Sequence, residues 1–172
     1  LDTKGVTASY MAEYLTAVRK GEKVRIHAAA GGVVTLLSQL AKQHEAFVIA
    51  KLGSSEKEQL AKDLGADAVV NYRKEDYAQK TKQILNGARL DVSFNPVAGS
   101  TYKKDMKLIG SGGRLILFGA SELSRGKWGI LSKLNFVFKM GFLMPIGLMM
   151  RSKNVLGVNM LKIADNKRSE EH

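Results

Sequence analysis

Apolar residues follow two alternating patterns along most of the chain. Short apolar runs rich in β-branched residues predict strands at 23–28, 46–50, 67–71, 90–95, 113–119 and 154–158. Between them, apolar residues spaced three and four apart predict helices over 33–41, 55–64, 76–85 and 100–109, with one more at 8–18 before the first strand. We expect Ser55 to cap the 55–64 helix and Gly65 to end it.

This order of elements predicts an α/β fold. Strands that alternate with helices form βαβ units, whose strands lie parallel in one sheet with helices on both faces. Six such strands match a Rossmann-type doubly wound fold, a six-stranded parallel sheet in a three-layer αβα arrangement. We expect this dinucleotide-binding domain to span 1–163 and the polar tail at 164–172 to be disordered.

Composition narrows the chemistry. The 172 residues suit one domain, and the absence of Cys excludes disulfides, a thiol nucleophile and thiolate zinc sites. His27, His44 and His172 lie too far apart in sequence to form a local ligand pair, so no metal site is expected. The first residue is Leu1 rather than Met, so we expect either a chain cut from a longer one or a recombinantly shortened form. No signal peptide or run of about 20 apolar residues is visible, so we expect a cytoplasmic protein.

Charge favours anionic ligands. Lys and Arg number 27 against 16 Asp and Glu, for a formal charge of +11. Nucleic acid, acidic lipid and phosphorylated small molecules all fit that sign. Because the basic residues are spread along the chain and no stacking aromatic motif is present, we expect no nucleic-acid partner.

A small-residue turn follows the first predicted strand and opens a helix. Gly31, Gly32 and Val33 stand there, where a βαβ fold presents free backbone N–H groups to a pyrophosphate. Against the pattern G-x-G-x-x-G the segment reads Ala29-x-Gly31-x-x-Val34, so only the middle glycine is kept. The alternative is a tight strand-to-helix turn without a ligand.

The end of the second strand indicates which dinucleotide would bind. An acidic residue there would hydrogen-bond the ribose of NAD, whereas this tip carries hydroxyls such as Ser54 and the two lysines Lys51 and Lys57. Hydroxyls and cations suit a 2′-phosphate, so the sequence favours NADP. The alternative for Lys57 is a solvated helix face.

These segments resemble the medium-chain dehydrogenase/reductase superfamily, most of all its zinc-free quinone oxidoreductase branch. The resemblance rests on Ala-Ala-Ala-Gly-Gly-Val within 21–42, Leu-Gly-Ala-Asp-Ala-Val-Val-Asn-Tyr-Arg at 64–73, Asp-Val-Ser-Phe-Asn-Pro-Val-Ala-Gly at 91–99, and Gly-Gly-Arg-Leu at 112–115 with Gly-Ala at 119–120. The segment 124–161 resembles the vesicle amine transport protein-like subgroup. The resemblance covers nearly the whole chain.

The resemblance implies a set of cofactor-binding residues. Lys57 and Tyr72 would hold the 2′-phosphate of NADPH, and the backbone of Gly31, Gly32 and Val33 would meet the pyrophosphate. The nicotinamide side would be lined by Thr7, Asn95, Val97, Phe118, Gly119 and Ala120. The implied reaction is metal-free hydride transfer from NADPH to a quinone or an activated alkene.

The resemblance also implies that part of an enzyme is absent. The family's N-terminal substrate domain has no counterpart in this sequence, so we expect an isolated cofactor domain with little activity and name no catalytic residue. The missing substrate domain is an expected partner, and homo-oligomerisation through the sixth strand is expected too.

A Met-rich apolar segment at 136–150 supports a second hypothesis. It could be core helix packing, a substrate or dimer contact, or a membrane-surface segment, although Pro145 and two glycines disfavour the last. The alternative function is a non-catalytic module that binds a protein partner or a vesicle surface through this segment.

Overall fold

The computed structural model describes residues 17–27, 32–95, 100–118 and 145–158. Its strands are β1 (Lys23–His27), β2 (Phe47–Leu52), β3 (Ala68–Asn71), β4 (Leu90–Asn95), β5 (Ile109–Phe118) and β6 (Asn154–Val158). Its helices are α1 (Gly32–Gln43), α2 (Glu56–Asp63), α3 (Tyr77–Leu85), α4 (Ser100–Leu108) and α5 (Pro145–Arg151).

The strands form one parallel sheet in the order β3-β2-β1-β4-β5-β6. The chain winds outward in one direction from β1 and then in the other from β4, which is the doubly wound order. This confirms the predicted α/β Rossmann-type architecture. A crevice at the carboxyl ends of β1 and β4 is the usual ligand position in such sheets.

Two apolar cores cover the two faces of the sheet. On one face, Val24 and Ile26 of β1 pack with Leu37 of α1. On the other face, Ile49 of β2 packs in a cluster with Tyr77 of α3 and with side chains of α4. Because successive strand residues point to opposite faces, the two cores account for the nearly continuous apolar strands. The result is three layers.

Of the two residues predicted at the ends of α2, Gly65 is confirmed and Ser55 is not. Gly65, with a φ of +97°, follows the end of α2 as expected. Ser55 was expected to cap that helix with its side chain, but it has helical backbone angles and makes no side-chain cap hydrogen bond. A side-chain cap needs extended backbone at the capping residue, as Asp76 shows by accepting from the amides of Ala78 and Gln79 at the start of α3.

Strand β5 begins four residues before the predicted start at 113. Its register against β4 shifts between Leu90 and Val92, and residues 110–112, which separate the predicted helix from the predicted strand, belong to this irregular strand. The predicted helix at 8–18, apart from its last two residues, and the tail at 164–172 lie outside the described residues. No helix in the described part is long and apolar enough to cross a membrane.

The glycine at the β5 irregularity gives a test of this packing. A Cβ at Gly113 would overlap Ile109 Cγ2 and lie 2.8 Å from the carbonyl oxygen of Gly110. We expect Gly113→Ala to lower the free energy of unfolding in urea by about 1–3 kcal/mol, the usual cost of overpacking. Gly157→Ala is the control, because a Cβ at Gly157 of β6 meets nothing within 4 Å. Equal costs for the two variants would contradict the assigned register.

Candidate functional site

A buried ion pair joins β1 to α4 beside β4. Arg25 of β1 pairs with Asp105 of α4, and their side chains are 2% and 0% exposed. The same Arg25 nitrogen donates to Ser93 Oγ at 2.9 Å, because the register of β1 on β4 places Arg25 beside Ser93. The pair therefore links the first and second halves of the doubly wound sheet.

Asp105 organises the groups around it. Asn95 Nδ2, at the end of β4, donates to Asp105 Oδ2 at 2.7 Å and to Thr101 Oγ1 at 2.8 Å. The Tyr77 hydroxyl donates to Asp105 Oδ1 at 3.3 Å. The carboxylate thus receives donors from β1, β4 and α3, which is the satisfaction that a buried charge requires.

A second cation lies beside this pair without a carboxylate of its own. Lys51 of β2 is 2% exposed, and its Nζ lies 3.6 Å from the ring centroid of Tyr77 and 5.4 Å from that of Tyr72. Within the described residues Lys51 has neither a hydrogen bond nor an ion pair from its side chain. Two aromatic faces therefore take the place of a counter-ion.

Burial shifts the titration of these groups. Desolvation, with Lys51 and Arg25 nearby, lowers the pKa of His27 to about 4, so the imidazole is neutral at pH 7. Desolvation and the charge of Arg25 lower the pKa of Lys51 to about 8. Burial and Asp105 raise the pKa of Tyr77. At pH 7 the group of side chains carries two cations against one carboxylate.

Tyr72 lies at the solvent side of this arrangement. Its amide donates to the carbonyl of Leu52 at 3.0 Å, which holds the end of β3 against the end of β2. A Cβ at Gly53 would lie 2.5 Å from the Tyr72 hydroxyl, so the phenol rests directly on the Gly53 backbone. The ring is 40% exposed, and it is 5.5 Å from the His27 ring.

Two more predicted phosphate-binding residues, Ser54 and Lys57, follow β2, the strand that pairs with β3. Ser54 is half-buried just past β2, and Lys57 is exposed in the first turn of α2. Of the carboxylates in that turn, Glu58 accepts from Asn71 Nδ2 at 3.1 Å. Hydroxyl, ammonium and phenol groups thus belong to one edge of the sheet.

The remaining predicted residues divide into two groups. Gly32 and Val33 begin α1, Asn95 is buried at the end of β4, and Phe118 is the last residue of β5. Five predicted residues lie outside the described part of the chain: Thr7, Gly31, Val97, Gly119 and Ala120.

The sequence analysis did not single out Arg25, Asp105 or the burial of Lys51. A signal was present, since Arg25 interrupts an apolar strand and a charged residue there must be paired when both faces are covered. Lys51 lies beyond the predicted strand end at 50, whereas β2 continues because Lys51 and Leu52 pair with Val70 and Asn71.

Removing the carboxylate tests the role of the ion pair. We expect Asp105→Asn to lower the free energy of unfolding by about 3–5 kcal/mol, because the guanidinium of Arg25 would stay buried without its counter-charge. Chemical denaturation measures the change. The control Asp63→Asn, exposed in α2, should change stability by no more than about 0.5 kcal/mol. A similar small change for Asp105→Asn would contradict the assignment.

Comparison with known proteins identifies the family. The profile of the zinc-binding dehydrogenase family matches residues 32–170. Quinone oxidoreductase 1 of Escherichia coli (strain K12) is 33% identical over 119 residues, which are 69% of this chain and 36% of that protein. The 2-haloacrylate reductase of Burkholderia sp is 31% identical over 116 residues, 67% of this chain and 35% of that protein.

A solved structure agrees in fold. The crystal structure of Escherichia coli quinone oxidoreductase complexed with NADPH has a TM-score of 0.73 and 27% identity, over 92% of this chain and 44% of that one. This chain therefore spans about a third of the length of the curated relatives that it matches.

The family's description mentions zinc, but the part of the chain that the structure describes shows no group of side chains that fits that metal. In 17–27, 32–95, 100–118 and 145–158, no three His, Asp or Glu side chains are grouped to hold a metal ion, and the sequence has no Cys. The matched profile, the relatives and the fold agree on the rest. The chain belongs to the zinc-binding dehydrogenase family of the medium-chain dehydrogenase/reductase superfamily, and within it is similar to the quinone oxidoreductases.

Proposed function

We propose that this chain is the NADPH-binding domain of a zinc-independent quinone oxidoreductase-like enzyme. The observation that carries the proposal is the chemistry at the ends of β2 and β3, where Ser54, Lys57 and Tyr72 offer an ammonium and two hydroxyl donors. The tip of β2, 49–55, contains no carboxylate that would prefer a ribose hydroxyl. A 2′-phosphate suits such a donor set.

Each part of the dinucleotide has proposed partners in this chain. Ser54, Lys57 and Tyr72 would bind the 2′-phosphate, and the turn Gly31-Gly32-Val33 would present backbone N–H groups to the pyrophosphate. The nicotinamide side would be lined by residues at and just after the carboxyl ends of β4 and β5, together with one residue near the start of the chain. These residues are Asn95, Val97, Phe118, Gly119, Ala120 and Thr7. The side chain of Asn95 would be held in a fixed orientation there, because its amide nitrogen donates to Asp105 and Thr101.

The reaction class follows from the family. NADPH supplies a hydride, and the proposed acceptor is a quinone or an activated alkene. The protein would contribute mainly orientation of the nicotinamide against the acceptor and exclusion of water. We propose that a substrate domain of the same family completes the acceptor site, so that this chain alone binds cofactor but turns over little substrate.

Truncating Lys57 tests the proposed phosphate site. We expect Lys57→Ala to weaken NADPH binding about tenfold or more while NADH binding changes less than twofold, because only NADPH carries the 2′-phosphate. Isothermal titration calorimetry with both cofactors measures the ratio. Lys62→Ala, an exposed lysine of the same helix, is the control. Equal affinities of the unaltered chain for NADPH and NADH would overturn the proposed function.

The exposed surface near β6 favours a second candidate, a non-catalytic interaction module. Ile146, Met149 and Met150 of α5 are 60%, 78% and 83% exposed, which disagrees with core packing for this part of the Met-rich segment. Strand β6 pairs only with β5 among the described strands, and no other described strand covers its second edge. We propose that a second copy of this chain uses that edge.

Light scattering and vesicle flotation separate these possibilities. We expect a dimer at micromolar concentration, and we expect Gly157→Lys to reduce it, because Gly157 is exposed in β6 and a lysine on an edge strand opposes edge-to-edge pairing. Ile146→Lys, at an exposed position on α5, is the matched control. Co-flotation with phosphatidylserine vesicles, together with no response to NADPH, would instead support the interaction module. A monomer at all concentrations would contradict the dimer.

A further inference from the structure

We propose that Lys51 determines cofactor specificity: its buried ammonium supplies, from beneath Tyr72, a positive charge that favours a ligand with a ribose 2′-phosphate. The proposal rests on the proposed NADPH site. It adds to that site a residue that is too deeply buried to contact the ligand. It acts through the electrostatic field at the site. Lys51 is therefore a positioning and specificity residue rather than a catalytic one.

The sheet places Lys51 next to the site. It is the fifth of the six residues of β2, and in the parallel register it lies beside His27 of β1 and Val70 of β3. Paired residues point to the same face, so the side chain of Lys51 extends toward α3, where it meets Tyr77. It thus lies at the carboxyl edge, near the inner side of the predicted phosphate-binding residues.

Two rings fix the ammonium between the core and the site. Nζ lies 3.6 Å from the Tyr77 centroid on the inner side, and 5.4 Å from the centroid of the half-exposed Tyr72. Tyr72 is itself a proposed phosphate ligand. A charge held this close behind a ligand, where little water intervenes, is screened less than an exposed lysine.

The surroundings leave the charge of Lys51 uncompensated. The charged and titratable groups that face it are Arg25, Asp105, Lys104, His27 and the two tyrosines Tyr72 and Tyr77. The carboxylate of Asp105 already pairs with Arg25 and accepts from Tyr77. In the described residues nothing else offers Lys51 an anion, so a bound phosphate would supply the missing negative charge.

Burying the Lys51 ammonium lowers the stability of the folded chain, and a role in ligand binding would explain why this residue is a lysine. An apolar side chain of similar length would fill the same space without desolvating an ammonium. In the folded chain burial lowers the pKa of Lys51 to about 8 from 10.5. The folded state therefore binds fewer protons than the unfolded state between these values, and the destabilising effect of Lys51 is full below pH 8 and fades as the pH rises toward 10.5.

Cofactor titrations on matched variants test the proposal. We expect Lys51→Met to reduce the NADPH-to-NADH affinity ratio about tenfold at pH 7, mostly through NADPH. Lys104→Met is the control, since Lys104 also lies over the Tyr77 ring, at 5.2 Å, but is 52% exposed and well screened. It should change the ratio by less than twofold.

The pH dependence provides a second measurement on the unaltered chain. We expect its NADPH-to-NADH affinity ratio to fall between pH 7 and pH 9, as Lys51 loses its proton, and we expect this fall to be smaller in Lys51→Met. Urea unfolding over pH 8–10.5 should show the unaltered chain gaining stability relative to Lys51→Met. The affinity measurement on the unaltered chain tests the proposal even if Lys51→Met folds poorly at neutral pH, because the expected fall in the NADPH-to-NADH ratio needs no variant.

The outcomes distinguish the two proposals. If Lys57→Ala removes the preference for NADPH while Lys51→Met keeps it and the ratio does not change with pH, the role of Lys51 is overturned and the proposed function stands. If the unaltered chain does not prefer NADPH, both are overturned. A loss of preference in Lys104→Met equal to that in Lys51→Met would also overturn the role of Lys51, because general surface charge would then explain it.

Discussion

The buried pair of Arg25 and Asp105 is the constraint on which the carboxyl edge of this sheet depends. A guanidinium in the middle of a central strand is tolerated only because a carboxylate from α4 reaches it. That requirement fixes α4 against β1 and β4 and turns Asp105 into an acceptor for Asn95 and Tyr77. Asp105 thus connects α3, α4 and the end of β4, in addition to the apolar packing of the same helices on the sheet.

The same pair shapes the charge of the site. Asp105 already pairs with Arg25, so among the described residues Lys51 faces two aromatic rings and no anion of its own. His27 adds no charge, since burial and its cationic neighbours keep it neutral. An edge of this kind is better suited to a phosphorylated ligand than to a neutral one. The buried charge of Lys51 lowers the stability of the folded chain, and a bound anion would compensate that charge.

The family relationship gives these features a context. The chain matches the zinc-binding dehydrogenase profile from 32 to 170, yet it spans only about a third of its curated relatives. We propose that a dinucleotide-binding half recognises its cofactor by itself, because the small-residue segment that follows β1 in the sequence and the ends of β2 and β3 all belong to it. Reduction of an acceptor needs a second surface opposite the nicotinamide, and that surface belongs to the proposed substrate domain.

The amino-acid sequence by itself determined the order of strands and helices, the α/β class and the family resemblance. These are local or short-range properties: apolar periodicity, the turn at 28–33 and the lack of an acidic residue at the β2 tip are all read within a few residues. The placement of Ser54, Lys57 and Tyr72 at one edge also follows, because parallel strands end together. Tertiary structure alone decided that Arg25 meets Asp105, 80 positions later, and that Lys51 is enclosed by Tyr72 and Tyr77. Burial and pairing depend on which strands become neighbours, and the free energy of a charge depends on what surrounds it in space.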